Sequence, residues 1–372
     1  MTIELPTPTS IQEAYTLIKP HIHRTPLLTN RTLNTFASTP QSPESLAGTP
    51  YEGSTPASPK INFFFKCENL QRIGAFKPRG AFHALLRLIE RVGEEEVRKV
   101  GVVTHSSGNH AQALSLAAST LRIPSYIVMP KISTSSKIAG TQAYATEVIF
   151  SGSTAPEREA VVAEVQKRTG AILIPPYDHI DIVCGQGTAG LEILEQYTEI
   201  VGENAALSVH RGKGLDAVIT PLGGGGLTSG VATFYSGKET KVFGSEPSFE
   251  GADDARRGLE AGNRVESVNS LTIADGLRTP VGLLNWEIIS DKNKVADVFS
   301  VTEEQIKAAL RLVLERMKVV VEPSAVVPLA VALYNEDFRK LVEREAPEGW
   351  DIGIVFSGGN TTVEAIGKLF SS

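Results

Sequence analysis

The chain has 372 residues, 41% hydrophobic and 21% charged, and carries a net charge of -6. That length suffices for two compact α/β units around a large core. The mild negative charge offers no general attraction to nucleic acid or to an anionic membrane surface, which leaves a small molecule as the expected partner. Cys67 and Cys184 stand too far apart for a disulfide framework or a thiolate zinc site. Residues 1–10 lack the basic-then-apolar run of a signal peptide, and no run of about 18 apolar residues is present. A protein of the reducing cytosol is therefore expected.

Short apolar runs alternate with helical patterns. Strands are expected at 61–66, 99–104, 125–129, 147–151, 171–174, 217–220, 241–245 and 352–356. Helices are expected at 76–91, 109–121, 135–144, 156–168, 187–197, 227–235, 253–260, 302–318 and 323–334. The alternation predicts an α/β fold with mainly parallel sheets, whose ligands gather at the turns after the carboxyl ends of strands. Residues 37–60, rich in Ser, Thr, Pro and Gly, hold too few large apolar side chains to offset the entropy of ordering, so a flexible insertion is expected there. Residues 202–214 form a second polar, glycine-containing excursion.

Five turns carry candidate chemistry. Lys77 lies in Gly74-Ala75-Phe76-Lys77-Pro78-Arg79-Gly80-Ala81, after the first predicted long strand. Most lysines are solvated surface groups, but an amine held near a carbonyl cofactor has its pKa lowered and can form an imine. His105-Ser106-Ser107-Gly108-Asn109-His110 joins a strand to a helix. Its small polar residues either cap that helix or, with the free N–H groups of the helix start, bind a substrate carboxylate. Pro221-Leu222-Gly223-Gly224-Gly225-Gly226 also joins a strand to a helix. Four consecutive glycines carry a large entropic cost, which points to a phosphate nest of backbone N–H groups. The spacing is not that of a nucleotide P-loop, so a phosphate on another cofactor fits better. Glu246 and the pair Asp253-Asp254 are either helix-capping acids or hard oxygen ligands for magnesium or calcium. Phe356-Ser357-Gly358-Gly359-Asn360 is either a plain connection or a place where Ser357 offers its hydroxyl to a ring nitrogen.

Together and in this order, these segments resemble fold-type II pyridoxal 5'-phosphate (PLP) enzymes, whose architecture is like that of the tryptophan synthase β chain. Within them they resemble the serine racemase and serine/threonine dehydratase group, over roughly residues 11–360. The resemblance implies two α/β domains with mainly parallel sheets and the cofactor in the cleft. The larger would comprise 1–100 and 179–372, and a small mobile substrate domain 101–178. It implies Lys77 as the Schiff-base lysine, beside Phe76. Gly223, Gly224, Gly225, Gly226 and Leu227 would hold the phosphate, Asn109 would face the 3'-oxygen of the cofactor and Ser357 its pyridine nitrogen. Gly276, Glu322 and Asn360 would lie close to the cofactor. Ser106, Ser107, Asn109 and His110 would grip the substrate carboxylate, with Arg158 on the substrate side.

A divalent cation, Mg2+ or Ca2+, would be bound by Glu246, the Ala252 carbonyl and Asp254. The 246–254 segment is two residues longer than in the family, which makes Glu250 a rival ligand. A homodimer is also implied. Because the chain ends soon after Asn360, no appended regulatory domain is expected.

Ser107 bears most on the reaction the resemblance implies. The second serine of Ser-Ser-Gly-Asn-His matches the racemase pattern, where many threonine dehydratases have alanine. Lys77 and Ser107 would remove and return a proton on opposite faces of a carbon. The expected activity is racemisation of serine or a related small β-hydroxy amino acid, elimination of ammonia from it, or both. The nearest rival is a dedicated dehydratase for threonine, serine or threo-3-hydroxyaspartate. A PLP-binding regulatory protein without catalysis and a nucleotide-binding module are rivals of other classes.

Overall fold

The computed structural model describes residues 5–106, 108–133, 135–152, 154–210 and 214–371. Ser107 lies outside the described residues. Among those described, the strands are β1 (Leu27–Thr29), β2 (Ile61–Cys67), β3 (Val102–His105), β4 (Ser125–Pro130), β5 (Glu147–Ser151), β6 (Ile172–Leu173), β7 (Ala217–Pro221), β8 (Lys241–Pro247), β9 (Asp297–Val301) and β10 (Trp350–Phe356). They form a six-stranded sheet in the order β1-β2-β10-β7-β8-β9 and a four-stranded sheet in the order β5-β4-β3-β6. All pairs are parallel except the short edge pair β1–β2. Parallel strands covered on both faces need apolar side chains on both, which is why β7 and β10 are buried at every position and show no polar alternation.

Three helices carry the site, and glycines let them meet. In the long helix Ile180–Glu203, a Cβ on Gly185 would lie 2.4 Å from the Arg79 carbonyl oxygen. One on Gly187 would lie 2.6 Å from that of Gly230. Across the contact, a Cβ on Gly230 would lie 2.4 Å from that of Val183. The helices Pro78–Val92 and Gly226–Tyr235 thus press backbone to backbone onto the long one. The helix expected at 187–197 starts seven residues earlier, at Ile180, with the His179 ring accepting from Asp181 N.

Other differences have local causes. The strand expected from residue 99 begins at Val102, because Glu94–Val100 is a helix ended by Gly101 at φ 76°. The helix expected through 302–318 is α-helical only over Glu303–Leu312 and continues as a π-helical turn, Val313–Met317. Residues 37–60, expected to be a flexible insertion, are tied to the helix Glu336–Glu345. Glu336 accepts from Ala57 N at 2.6 Å and Gln41 Nε2 at 2.8 Å, while Arg339 donates to the carbonyls of Ala37, Thr39 and Ala57. Leu46 and Ala57 are buried beneath it. Hydrogen bonds from a neighbouring helix add to the few buried apolar side chains of the segment.

One fully buried charge cluster fixes the start of the helix Pro78–Val92. Arg79 bonds Glu68 (Nε–Oε2 2.8 Å) and Glu192 (Nη2–Oε2 2.7 Å), and Lys66 bonds Glu192 Oε2 at 2.6 Å, all four side chains being inaccessible to water. Removing one partner leaves an uncompensated buried charge, at about 3–5 kcal/mol, whereas the exposed Arg87–Glu90 pair is worth at most about 1 kcal/mol. Arg79→Met is therefore expected to lower the urea midpoint far more than Arg87→Met. Equal small shifts would remove the cluster from any structural role.

Candidate active site

Lys77 sits at the N-cap position of its helix, directly before Pro78, whose fixed φ suits a first helical turn. Its Nζ donates to the Pro176 carbonyl at 2.9 Å and lies 5.1 Å from the Phe76 ring centroid. Burial pushes its amine from the usual lysine range down to about 8. The next residue, Tyr177, leads to the glycine turn: a Cβ on Gly224 would lie 2.5 Å from the Tyr177 ring, and one on Gly226 would lie 3.0 Å from the Tyr177 carbonyl oxygen. Residues 176–177 therefore touch both Lys77 and the glycine turn.

The glycine turn crosses from β7 into the helix Gly226–Tyr235. Gly225 has φ +97°, a left-handed conformation that favours glycine. Gly223 is crowded by Gly276, whose carbonyl oxygen would lie 3.0 Å from a Cβ there. The Leu227 side chain is buried, which leaves its backbone as the part available to a ligand. Free N–H groups of a helix start beside crowded glycines form a cradle that suits a phosphate.

A third group of residues closes around Glu322. Asn109 Nδ2 donates to Glu322 Oε1 at 2.9 Å, and Asn360 Nδ2 donates to Asn109 Oδ1 at 2.8 Å and to the Ile73 carbonyl at 2.9 Å. Asn109 thus keeps one amide hydrogen for another acceptor. Glu322 Oε2 is buried with no partner among the described residues. Burial, then the nearby Asp275 charge, raises the Glu322 carboxyl to about 7. Ser357 is buried, and its carbonyl accepts from Phe76 N at 3.0 Å, which fixes that turn against the one bearing Lys77. Gly276 N donates to Ser324 Oγ at 3.0 Å, and Glu322 N donates to the Gly358 carbonyl at 3.0 Å.

Ser106 N donates to the Val128 carbonyl at 3.1 Å, and Ser106 Oγ accepts from Gly108 N at 3.3 Å. Asn109 and His110 open the helix Asn109–Thr120. Burial, reinforced by the Lys77 charge, drives His110 down to about 3, so its ring is neutral at physiological pH. Arg158 lies in the first turn of Ala155–Thr169, and burial and then its charge lower His105.

The acidic residues separate. Glu246 is fully buried and accepts from Ala255 N at 2.9 Å and Arg256 N at 3.0 Å. Asp254 accepts from Val281 N at 3.0 Å, and its Oδ1 is buried without a partner among the described residues. Burial and then the Asp254 charge push Glu246 well up; burial raises Asp254 to about 6. Asp253 is taken by Arg256 and Arg257, and Ala252 is buried between. Glu250, the rival ligand, turns away to accept from Leu271 N at 2.7 Å. No group of three or more metal-binding side chains occurs among the described residues.

The sequence reading missed Pro176 and Tyr177. They follow β6, at the carboxyl end of a strand, where the rule used for the other turns would have flagged them.

Residues 44–358 match the family model described as pyridoxal-phosphate dependent enzyme. The chain is 40% identical to a serine racemase of Arabidopsis thaliana over 365 residues, covering 98% of this chain and 96% of that protein. It is 35% identical to an L-threo-3-hydroxyaspartate ammonia-lyase of Saccharomyces cerevisiae, covering 99% and 97%. The structure of maize serine racemase superposes with a TM-score of 0.80 at 35% identity, covering 98% and 97%. The chain belongs to the pyridoxal-phosphate-dependent enzymes, in their fold-type II architecture. No helix among the described residues is long and apolar enough to cross a membrane.

A lysine amine with a pKa of about 8 is neutral in roughly one molecule in ten at pH 7, against roughly one in three thousand for an ordinary lysine. The rate at which the cofactor-free chain captures PLP, followed by absorbance, is expected to climb with pH and level off above about 8. A rate still climbing tenfold per unit at pH 10 would show an unshifted amine.

Proposed function

We propose that this enzyme racemises serine or a related small β-hydroxy amino acid and eliminates ammonia from it, with PLP in the cleft between the two sheets. The observation that carries the reading is the placing of the Lys77 amine, lowered to about 8, on the same 176–177 segment that packs against the glycine turn. Bound PLP supplies an aldehyde that an amine can capture and a ring that withdraws electrons from the bonds of a substrate α-carbon. The N–H groups of Gly223, Gly224, Gly225, Gly226 and Leu227 bind its phosphate. Asn109, steadied by Glu322 and Asn360, uses its remaining amide hydrogen on the 3'-oxygen, while Ser357 meets the ring nitrogen and Phe76 and Gly276 border the site. Ser106, Ser107, Asn109 and His110 bind the substrate carboxylate, and Arg158 meets the substrate side.

In this reading Lys77 moves a proton on one face of the α-carbon and the Ser107 hydroxyl on the other. Residues 101–178 act as the substrate domain that closes over the site. The racemases and the hydroxyaspartate ammonia-lyase among the relatives support both reactions; a dedicated dehydratase is the alternative. Incubation with L-serine, D-serine, L-threonine and both threo-3-hydroxyaspartates, scored for enantiomers and keto acid, separates them. Keto acid without enantiomer exchange would leave only the dehydratase. Ser107→Ala is expected to cut racemisation and turnover of the D-enantiomer by about 10²–10⁴-fold, the range of one acid–base group, with a smaller effect on the L-enantiomer. Equal losses would count against two opposed faces.

The cation reading rests on Glu246 and Asp254, two buried carboxyls whose charges oppose each other, with the unpaired Asp254 Oδ1. A divalent ion there, with the Ala252 carbonyl, would relieve that repulsion. Removing it with EDTA is expected to lower the Tm, and adding Mg2+ or Ca2+ to restore it, since a ligand at a hundredfold its Kd stabilises by about 2.7 kcal/mol. A Tm indifferent to both treatments would exclude a bound cation.

A further inference from the structure

The Gly224 carbonyl is the most firmly held group of the glycine turn. It accepts from Asn285 Nδ2 at 2.7 Å and from Gly282 N at 3.1 Å. In a trans peptide the carbonyl and the following N–H point to opposite sides. Fixing the Gly224 oxygen on the Asn285 side therefore turns the Gly225 N–H away from Asn285, toward the other side of the turn. Asn285 itself is fully buried, in the helix Leu283–Ile289. Its Nδ2 also donates to the Tyr177 carbonyl at 3.2 Å, so both amide hydrogens have acceptors. The helix is in turn fixed by Asp178, which accepts from Leu283 N at 2.9 Å and Asn285 N at 3.2 Å. Asn285 Cβ stands 2.7 Å from where a Cβ on Gly225 would be, so glycine is required at 225 on this side as well. The neighbouring Leu284, Ile288 and Ile289 are apolar and buried. A polar side chain fully buried among them is costly unless its hydrogen bonds do specific work.

We propose that Asn285 is a positioning residue for the cofactor phosphate. Its amide sets the orientation of the Gly224–Gly225 peptide so that the Gly225 N–H faces the anion, and it ties the turn to the Tyr177 backbone beside the segment that holds the Lys77 amine. Both Asn285 amide hydrogens are taken by backbone carbonyls, so it acts on the anion through the turn. The inference rests on the reading that the glycine turn binds the phosphate of PLP, and the test separates the two.

Binding of PLP and of pyridoxal, which lacks the phosphate, is titrated by fluorescence to the wild type, Asn285→Leu and Asn285→Asp after cofactor removal. Circular dichroism reports the fold of each. The wild type is expected to prefer PLP strongly. Asn285→Leu, similar in volume but without donors, is expected to lose about tenfold or more of that preference, the scale of one hydrogen bond to a charged group, with pyridoxal affinity within about twofold of wild type. The ³¹P resonance of bound PLP should shift as well. Asn285→Asp, which turns a carboxylate toward two carbonyls, should lose more, and it decides the matter if the leucine variant does not fold. A folded variant with an unchanged PLP-to-pyridoxal ratio overturns the positioning role and leaves the phosphate reading standing. A wild type that binds both equally overturns the phosphate reading, and the inference with it.

Discussion

Arg79 holds two carboxylates, Glu68 and Glu192, where water does not reach, and the geometry of the site follows from that arrangement. Burial alone would push Glu68 up, yet the guanidinium beside it holds the carboxyl below its ordinary range. Lys66, pushed down by burial and by Arg79, is compensated by Glu192, by Gln196 Oε1 at 2.7 Å and by the Thr25 carbonyl at 2.7 Å. The members come from β2, the turn after it, the first turn of Pro78–Val92 and the long helix Ile180–Glu203. None can shift without stranding a charge. Lys77 lies two residues from Arg79, so its place in the cleft is inherited from the cluster.

Around that fixed point, burial drives the titratable groups toward their uncharged forms. It lowers Lys77 to about 8 and His110 to about 3, lowers His105, and raises Glu322 to about 7. A site that must accept a phosphate and a carboxylate would ordinarily use cations. In the proposed reading the attraction for both anions comes chiefly from the N–H groups opening Asn109–Thr120 and Gly226–Tyr235, dipoles that need no protonation and carry no mobile charge. Neutral side chains beside fixed dipoles leave the amine of Lys77 available to react near neutral pH.

Much of this was legible in the sequence because the chemistry sits on turns after strands, and those turns use residues with few other reasons to occur together. Lys77, Asn109, Gly223 to Gly226, Ser357 and Asn360 stand in such turns and Glu322 came from the resemblance; the structure bonds Asn109 to Glu322 and Asn360, sets the Ser357 turn against Phe76, and packs residues 176–177 against both Lys77 and the glycine turn. What was not legible depends on partners distant in the chain. Tyr177 is an unremarkable tyrosine until it meets Gly224, and Asn285 resembles any helix asparagine until its amide meets Gly224 and Tyr177. Residues 37–60 hold few large apolar side chains, and the acceptors and donors that hold them belong to Glu336 and Arg339, nearly three hundred positions away. Composition can show that a segment lacks internal anchors, but not that another helix supplies them.

The same electrostatics bear on the choice between the two reactions. Both begin with loss of a proton from the α-carbon, and they part according to whether a proton returns from the far side or the β-hydroxyl leaves first. In the proposed reading Ser357, an uncharged partner, leaves the ring nitrogen without a proton and the ring a moderate electron sink. The buried carboxyl of Glu322 accepts from Asn109. With moderate withdrawal by the ring, the fate of the carbon depends more on the groups placed at its two faces. Lys77 is fixed from behind by the Arg79 cluster. Ser107 stands two positions before Asn109 in the sequence, and in the proposed reading its approach to the carbon depends on how residues 101–178 close over the site. The balance of racemisation and elimination is then a property of closure as much as of either residue.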